Sequence, residues 1–214
     1  MKPDKLYNLS KEEISFNNKL YAEFRSKYGE TPEGLGWNSQ HDQEVRFEIL
    51  LKFIPLSGLN PKKATLLDVG CGFADLYAYA KKRFPGIQYT GIDINPVALK
   101  IAQSRYPEAK FMLGNILETP LPQYDVMCCS GLFATRLKDN EAFIRNMILK
   151  MGQLSRKGFA FNFLQKTPFP SDLAEYDKLA IKKFCRQHFS QVKMFDHYLG
   201  SEDVTLIVTK PSSS

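Results

Sequence analysis

Cysteine is scarce in this chain, and long apolar runs, internal repeats and low-complexity linkers are missing. Each gap narrows the possibilities. Four cysteines (Cys71, Cys128, Cys129, Cys185) in 214 residues, with no Cys-x-x-Cys pair, are too few for a stapled secreted fold and badly spaced for a thiolate metal site. Three of them fall in or beside strand-like runs or a glycine turn, so free thiols are expected and no metal. No segment approaches a membrane-spanning length, and Met1 to Ser10 has no apolar run behind its charges, so a cytoplasmic protein is expected. What remains is ordinary: 43% hydrophobic residues, enough for one domain with a full core. Twenty-nine Lys and Arg against 23 Asp and Glu give a net charge of +6, which makes a nucleic-acid partner conceivable. The distribution disfavours it. The basic residues occur in twos and threes (Lys62-Lys63, Lys81-Lys82-Arg83, Lys182-Lys183) on separate helix ends and loops, interspersed with acids, as on a solvated surface.

Everything else is organised around Ala64-Thr-Leu-Leu-Asp-Val-Gly-Cys-Gly-Phe-Ala-Asp-Leu76. A short apolar run reads as a buried strand, and it leads through an acid and two glycines into a helical pattern beginning near Phe73. This is a nucleotide-binding turn: Gly70 and Gly72 let the backbone bend and approach a ligand, and the amides opening the next helix are expected to face the same crevice. Asp68 at the strand tip would repel a pyrophosphate, so a ligand bearing positive charge is expected, such as an amino-acid ammonium. Gln88 to Asp93 then alternates into a second strand ending on another acid, 25 residues after Asp68. A βαβ unit places a carboxylate near this separation on ribose hydroxyls. An NAD fingerprint fits less well, since it wants glycine at Asp75 and no acid at 68.

These two motifs resemble those of the class I S-adenosylmethionine-dependent methyltransferases, acidic-x-Gly-x-Gly-x-Gly with Ala74 in the third glycine's place. That substitution reads as mild, because the third position mainly governs close packing of helix on strand. The remaining elements follow in the same order. Asn95-Pro96 caps a helix through Arg105; strands are expected at Ala109–Leu113, Tyr124–Cys129 and Lys157–Leu164, a helix at Asp139–Met151, and another from Ser171 to about Phe189. Gln191–Tyr198 and Val204–Thr209 close the sheet as an antiparallel pair. The resemblance covers about residues 64 to 209 and implies an α/β fold, a Rossmann-like doubly wound sheet of seven strands, mostly parallel with an antiparallel last strand. Ahead of it, a capping box at Ser10 and Glu13 opens a helix ended by Gly29, and a second helix runs from about Ser39 through Leu51. Residues 1–60 are expected to form a helical cap or lid, 61–210 the methyltransferase domain, and 211–214 a disordered tail. A lid would bring Trp37, His41 and Arg46 near the ligand; otherwise Trp37 packs in the core and Arg46 lies on the surface.

The resemblance implies S-adenosylmethionine as cofactor and S-adenosylhomocysteine as product. It puts Asp68 and the Gly70-Cys71-Gly72 backbone on the methionine portion, Asp93 on both ribose hydroxyls and Ile94 against adenine. Asn115 stands where the family often has an acid; its amide oxygen would accept from the adenine amine, with Ile116 holding the far side of the ring. Ser130 and Gly131, at the exit of the fourth strand, belong beside the reacting end. Arg46 is a candidate for the methionine carboxylate, because a guanidinium suits bidentate binding. The sulfonium is already an activated donor, so catalysis is chiefly alignment, and catalytic side chains are hard to find. His41, Arg136 and Asn162 are weak candidates, and His188 and His197 read as structural. The Asn-Pro-Pro-Tyr-like signature of amino-group DNA enzymes and the Pro-Cys nucleophile of cytosine-ring enzymes are missing. A compact chain, as monomer or homodimer, favours a small-molecule acceptor. An RNA methyltransferase, a non-catalytic adenosylmethionine-binding protein and a non-methylating use of the sulfonium are the alternatives.

Overall fold

Leu66 and Leu67 are neighbours in sequence and both fully buried, which a strand permits only when both faces of its sheet are covered. That condition shapes the chain. The computed structural model describes residues 7–56, 59–60, 63–166, 173–200 and 202–211. Expectations that involve the first six residues, Lys62, Ser171 and the final three residues lie outside the described residues. One sheet holds β1 (Thr65–Val69), β2 (Gln88–Asp93), β3 (Lys110–Leu113), β4 (Tyr124–Cys129), β5 (Ser155–Gln165), β6 (Glu175–Tyr176), β7 (Gln191–Asp196) and β8 (Asp203–Thr209). Its order is β3-β2-β1-β4-β5-β8-β7, with β6 beside the end of β5. β8 is antiparallel to β5 and β7, and the other pairings are parallel. The main path is therefore the expected wound sheet with its last strand reversed. The strand order turns around between β1 and β4, the switch point at which such sheets open a crevice beyond their carboxyl ends.

The helices are α1 (Lys11–Tyr28), α2 (Gln40–Leu51), α3 (Phe53–Leu56), α4 (Asp75–Arg83), α5 (Pro96–Arg105), α6 (Asn140–Leu154) and α7 (Lys178–His188). Side chains fix most of their starts: Ser10 with Glu13 as a capping box, then Ser39, Asn95, Asp139 and Asp177 as N-caps. Instead of continuing one helix from 171 to 189, the chain interposes β6 and begins α7 at Lys178. Two apolar clusters flank the sheet. Leu67, Met127, Cys129, Phe159 and Phe161 meet α6 and α7 on one face, while Leu66, Val126, Cys128, Ala160 and Ile207 meet α2 and α4 on the other. All four cysteines are free and buried. Among the described residues no helix is long and apolar enough to cross a membrane.

Arg46 departs from its expected role. Its Nε and one terminal nitrogen each donate to Asp203 at 2.7 Å, the other terminal nitrogen donates to the Asp42 carbonyl at 3.0 Å, and the guanidinium lies 5.1 Å from the Trp37 ring centre. Its hydrogen-bonding capacity holds α2 to β8, so a ligand carboxylate would have to displace a bidentate partner. Because both side chains are nearly buried, at 10% and 8% exposure, removing one strands the other. Asp203→Ala is expected to lower unfolding free energy by about 3–5 kcal/mol. Urea denaturation checks this, and a loss below about 1 kcal/mol, the value of a surface pair, would contradict it.

Candidate active site

The floor of the site is the turn after β1. Gly70 and Gly72 have φ of 72° and 53°, and Ala74 shares that left-handed region at 65°, where a side chain costs about 1–2 kcal/mol. The third position thus demands a backbone conformation as well as a small side chain, and the Ala74 substitution is less mild than the sequence suggests. The amides of this turn do not reach outward. Gly70 and Cys71 donate to the Ile92 carbonyl (2.8 and 3.2 Å), Gly72 to Asp93 Oδ2 (2.8 Å) and Ala74 to the Cys71 carbonyl (2.8 Å). With its donors spent internally, the turn is poorly suited to phosphate, whatever its likeness to phosphate-binding loops. Cys71 turns its sulfur toward β2, where a Cβ on Gly91 would come within 2.7 Å of it, which leaves the Cys71 backbone toward the cavity.

A cavity of about 500 Å³ opens above this turn, bordered by Asp68, Gly70, Cys71, Gly72, Asp75, Asp93, Ile94, Ser130, Gly131 and Trp37 among others. Three carboxylates at its floor set the electrostatics. Asp68 is pushed up to about 7, first by burial and further by Asp93 and Asp75, and the Tyr89 hydroxyl holds it down in part. That hydroxyl donates to Asp68 Oδ2 at 2.7 Å, from a ring packed among Tyr77 and Phe111. Burial also raises Asp93, against the amides of Asn95, Gly72 and Ile94, and raises Asp75, against Gln43 and Arg105. Asp93 is pinned, with Oδ2 accepting from Gly72 and Oδ1 from Asn95, both at 2.8 Å. Each oxygen keeps a further acceptor direction.

The flanking loops differ from expectation in detail. Gly114 donates to the Asp93 carbonyl at 2.9 Å, which sets Asn115 beside the β2 tip. The Asn115 oxygen accepts from the Leu117 amide at 3.0 Å, while its buried Nδ2 has no partner. What Asn115 can offer is a donor, so it suits a ring nitrogen better than an exocyclic amine. Ile116 packs into the core, 3% exposed, and neither Asn115 nor Ile116 borders the cavity. Asn162, a candidate for chemistry, instead braces the β4 exit: its oxygen accepts from the Gly131 amide at 2.8 Å and its nitrogen donates to Ser130 Oγ at 3.0 Å. His41 is exposed on α2, away from the cavity, whereas Arg136 borders it. Tyr89, Gln43, Asp75 and Tyr21 were not singled out in the sequence. A hydroxyl-bearing ring on an apolar strand was the one available sign of Tyr89.

The roof is α1. Glu13, Phe16, Asn17, Leu20, Tyr21 and Phe24 border the cavity at three- and four-residue intervals, one face of a helix that buries none of its residues in the core, and Leu9 just ahead of the cap joins them. Its amino-terminal half is tied to the segment after β4, where Lys138 donates to Glu13 at 3.0 Å and Asn17 to Thr135 at 3.4 Å. Its other end reaches α5, where Arg105 bonds the Glu30 carbonyl. A helix of 18 residues, about 27 Å long, therefore spans the crevice from the β4 side to the β2 side. Trp37 completes the cover: a Cβ on Gly131 would lie 2.9 Å from its ring.

A doubly wound sheet with an acid-floored cavity at its switch point narrows the candidates sharply, and comparison with known proteins settles the family. The model of a methyltransferase domain family matches residues 66–150. A putative methyltransferase of Mycobacterium tuberculosis, Rv1506c, is 30% identical over 156 residues, 68% of this chain and 92% of its own length. The chain belongs to the class I S-adenosylmethionine-dependent methyltransferases. A demethylmenaquinone methyltransferase of Chlorobaculum tepidum is 33% identical over 75 residues, 35% of this chain and 31% of that one. In fold, a putative sarcosine dimethylglycine methyltransferase of Galdieria sulphuraria superposes with a TM-score of 0.65 at 11% identity, covering 92% of this chain and 99% of that one. The residues at the site fit the family's cofactor. Buried Asp68 with half-buried Asp75 and Asp93 at the cavity floor suits a cation, and the pinned Asp93 oxygens keep acceptor directions for hydroxyls.

The ligand-free protein should show Asp68 titrating near 7, read by carboxyl carbon NMR. Folding retains a proton that the unfolded chain would release near its ordinary pKa, so this group's contribution to stability falls as pH rises from about 4 to 7. Asp68→Asn should remove that decline, and a wild-type profile parallel to that of the variant would contradict the assignment. Tyr89→Phe deletes the one hydrogen bond that favours the ionised form and should move the Asp68 midpoint upward. An unmoved or lowered midpoint would count against it.

Proposed function

We propose that this chain transfers the methyl group of S-adenosylmethionine directly, in line, to a small-molecule acceptor whose reacting end lies between the strand tips and α1. The observation that carries the reading is the asymmetry of the cavity, acidic along its floor and apolar along its roof. In this reading the unbonded side of the Asp68 carboxylate and the Gly70-Cys71-Gly72 backbone receive the methionine ammonium, and Asp93 receives the ribose hydroxyls. Ile94, which borders the cavity, offers an apolar face to adenine. When bound, the sulfonium supplies a methyl group already activated for transfer. The chain contributes position: Asn162 fixes Ser130 and Gly131, Trp37 closes over Gly131, and α1 excludes water. Tyr21, raised by burial and by Asp93, stays protonated and can only donate or be bonded as a neutral hydroxyl. A small acceptor is favoured over RNA because basic residues are dispersed and paired, Lys81 with Glu108 and Arg83 with Glu48, rather than gathered at the cavity mouth. The demethylmenaquinone named for the Chlorobaculum relative is also a small molecule.

Incubation with methyl-labelled S-adenosylmethionine and a cell extract divided into small-molecule and RNA fractions tests this, with label expected in the former. Label confined to RNA would reverse the reading. Asp93→Ala should weaken S-adenosylhomocysteine binding by about 1.5–3 kcal/mol, the value of hydrogen bonds to a charged group. Calorimetry measures it, and unchanged affinity would remove Asp93 from the ribose.

A further inference from the structure

The roof residues over the β4 side of the cavity bear on what the acceptor must be. Their polar atoms are spent on one another. Glu13 accepts from the Ser10 and Lys138 amides and from the Tyr7 hydroxyl, and Asn17 and Thr135 bond each other. Apart from Arg136, what this end presents to a guest is Leu9, Phe16, Leu132, Leu137, Phe143 and Leu173. Two of them are out of place for a closed apolar pocket, because Phe16 is 57% and Leu173 47% exposed. They belong to different elements, α1 and the segment before β6, yet border the same cavity. The second observation is size. About 500 Å³ lies within the range for one drug-sized ligand, and the cofactor is itself such a ligand. A second reactant of comparable size must therefore extend through the mouth.

Resting on the methyltransferase reading above, we propose that the acceptor is an uncharged, elongated apolar molecule whose reacting end sits by Ser130 and Gly131 and whose tail leaves the cavity between Phe16 and Leu173. The tail would cover apolar surface that water now wets, which makes the exposure of these two side chains useful rather than costly. Charge argues the same way. Four carboxylates, Glu13, Asp68, Asp75 and Asp93, line the cavity against the one guanidinium of Arg136, so an acceptor carrying phosphate or carboxylate would meet net repulsion.

The test uses the full chain loaded with S-adenosylhomocysteine and the neutral apolar fluorophore N-phenyl-1-naphthylamine. The loaded protein should bind the probe with enhanced fluorescence. Phe16→Asp should weaken probe binding at least tenfold while S-adenosylhomocysteine affinity, measured by calorimetry, stays within about twofold, and Phe16→Leu should retain most of it. Phe16 is exposed, so these variants are expected to fold, and Leu173→Asp repeats the test from the opposite rim. No fluorescence enhancement, or equal probe affinity in the wild type and both Asp variants, would overturn the proposal while leaving the cofactor reading intact. Failure of S-adenosylhomocysteine itself to bind would overturn that reading and this proposal with it.

Discussion

Buried Asp68, with half-buried Asp75 and Asp93 beside it at the tips of neighbouring elements, is the constraint from which this site follows, and loss of solvent raises the proton affinity of each. Burying like charges together is unfavourable unless they are protonated, bonded or met by a cation. Asp93 is met by backbone amides and Asp75 by Gln43 and Arg105. Asp68 has a single hydroxyl, from Tyr89, while Asp93, Asp75 and the thiols of Cys71, Cys128 and Cys129 surround it without offering positive charge. The free protein accommodates it by retaining a proton. A ligand carrying an ammonium or a sulfonium would relieve the same tension by ionising it, so part of the preference for such a ligand is built into the fold.

The roof carries a complementary constraint. α1 has the apolar stripe of a packed helix but no core to pack on, since its inward face looks into the cavity. Its position comes from polar ties at either end, through Glu13 and Asn17 to the segment after β4 and through Glu30 to Arg105. A helix held at its ends over an apolar-faced void gains its burial from whatever occupies the void. Ligand binding and lid order are thereby linked through one buried surface.

Much of this was legible in the sequence where the signal is local. Gln88–Asp93 and Tyr124–Cys129 are strands with the expected bounds, because alternation and turn residues define them within a few positions. The spacing from Asp68 to Asp93 located both acids, since a βαβ unit has little freedom in length. The pairing of Arg46 with Asp203 is not legible locally, because 157 residues separate the partners and no nearby pattern announces it. The orientation of Asn115 is set by the Leu117 amide, a contact that residue type alone does not reveal. The bonds of Asn162 to Gly131 and Ser130 depend on β5 lying beside β4, a pairing its own sequence neighbourhood does not show. Tyr89 escaped notice because a tyrosine in an apolar strand reads as packing until register sets its hydroxyl on the neighbouring strand's acid. β6, two residues long, is formed by pairing with the end of β5 rather than by any propensity of its own.

The central claim is that a cation completes the acid cluster by ionising Asp68. Calorimetric titration with S-adenosylmethionine at pH 6.5, in two buffers of different ionisation enthalpy, counts the protons exchanged on binding. The account predicts saturable binding with net release approaching one proton, shrinking as pH rises above 7. Binding with no proton exchange, or with uptake, would contradict it.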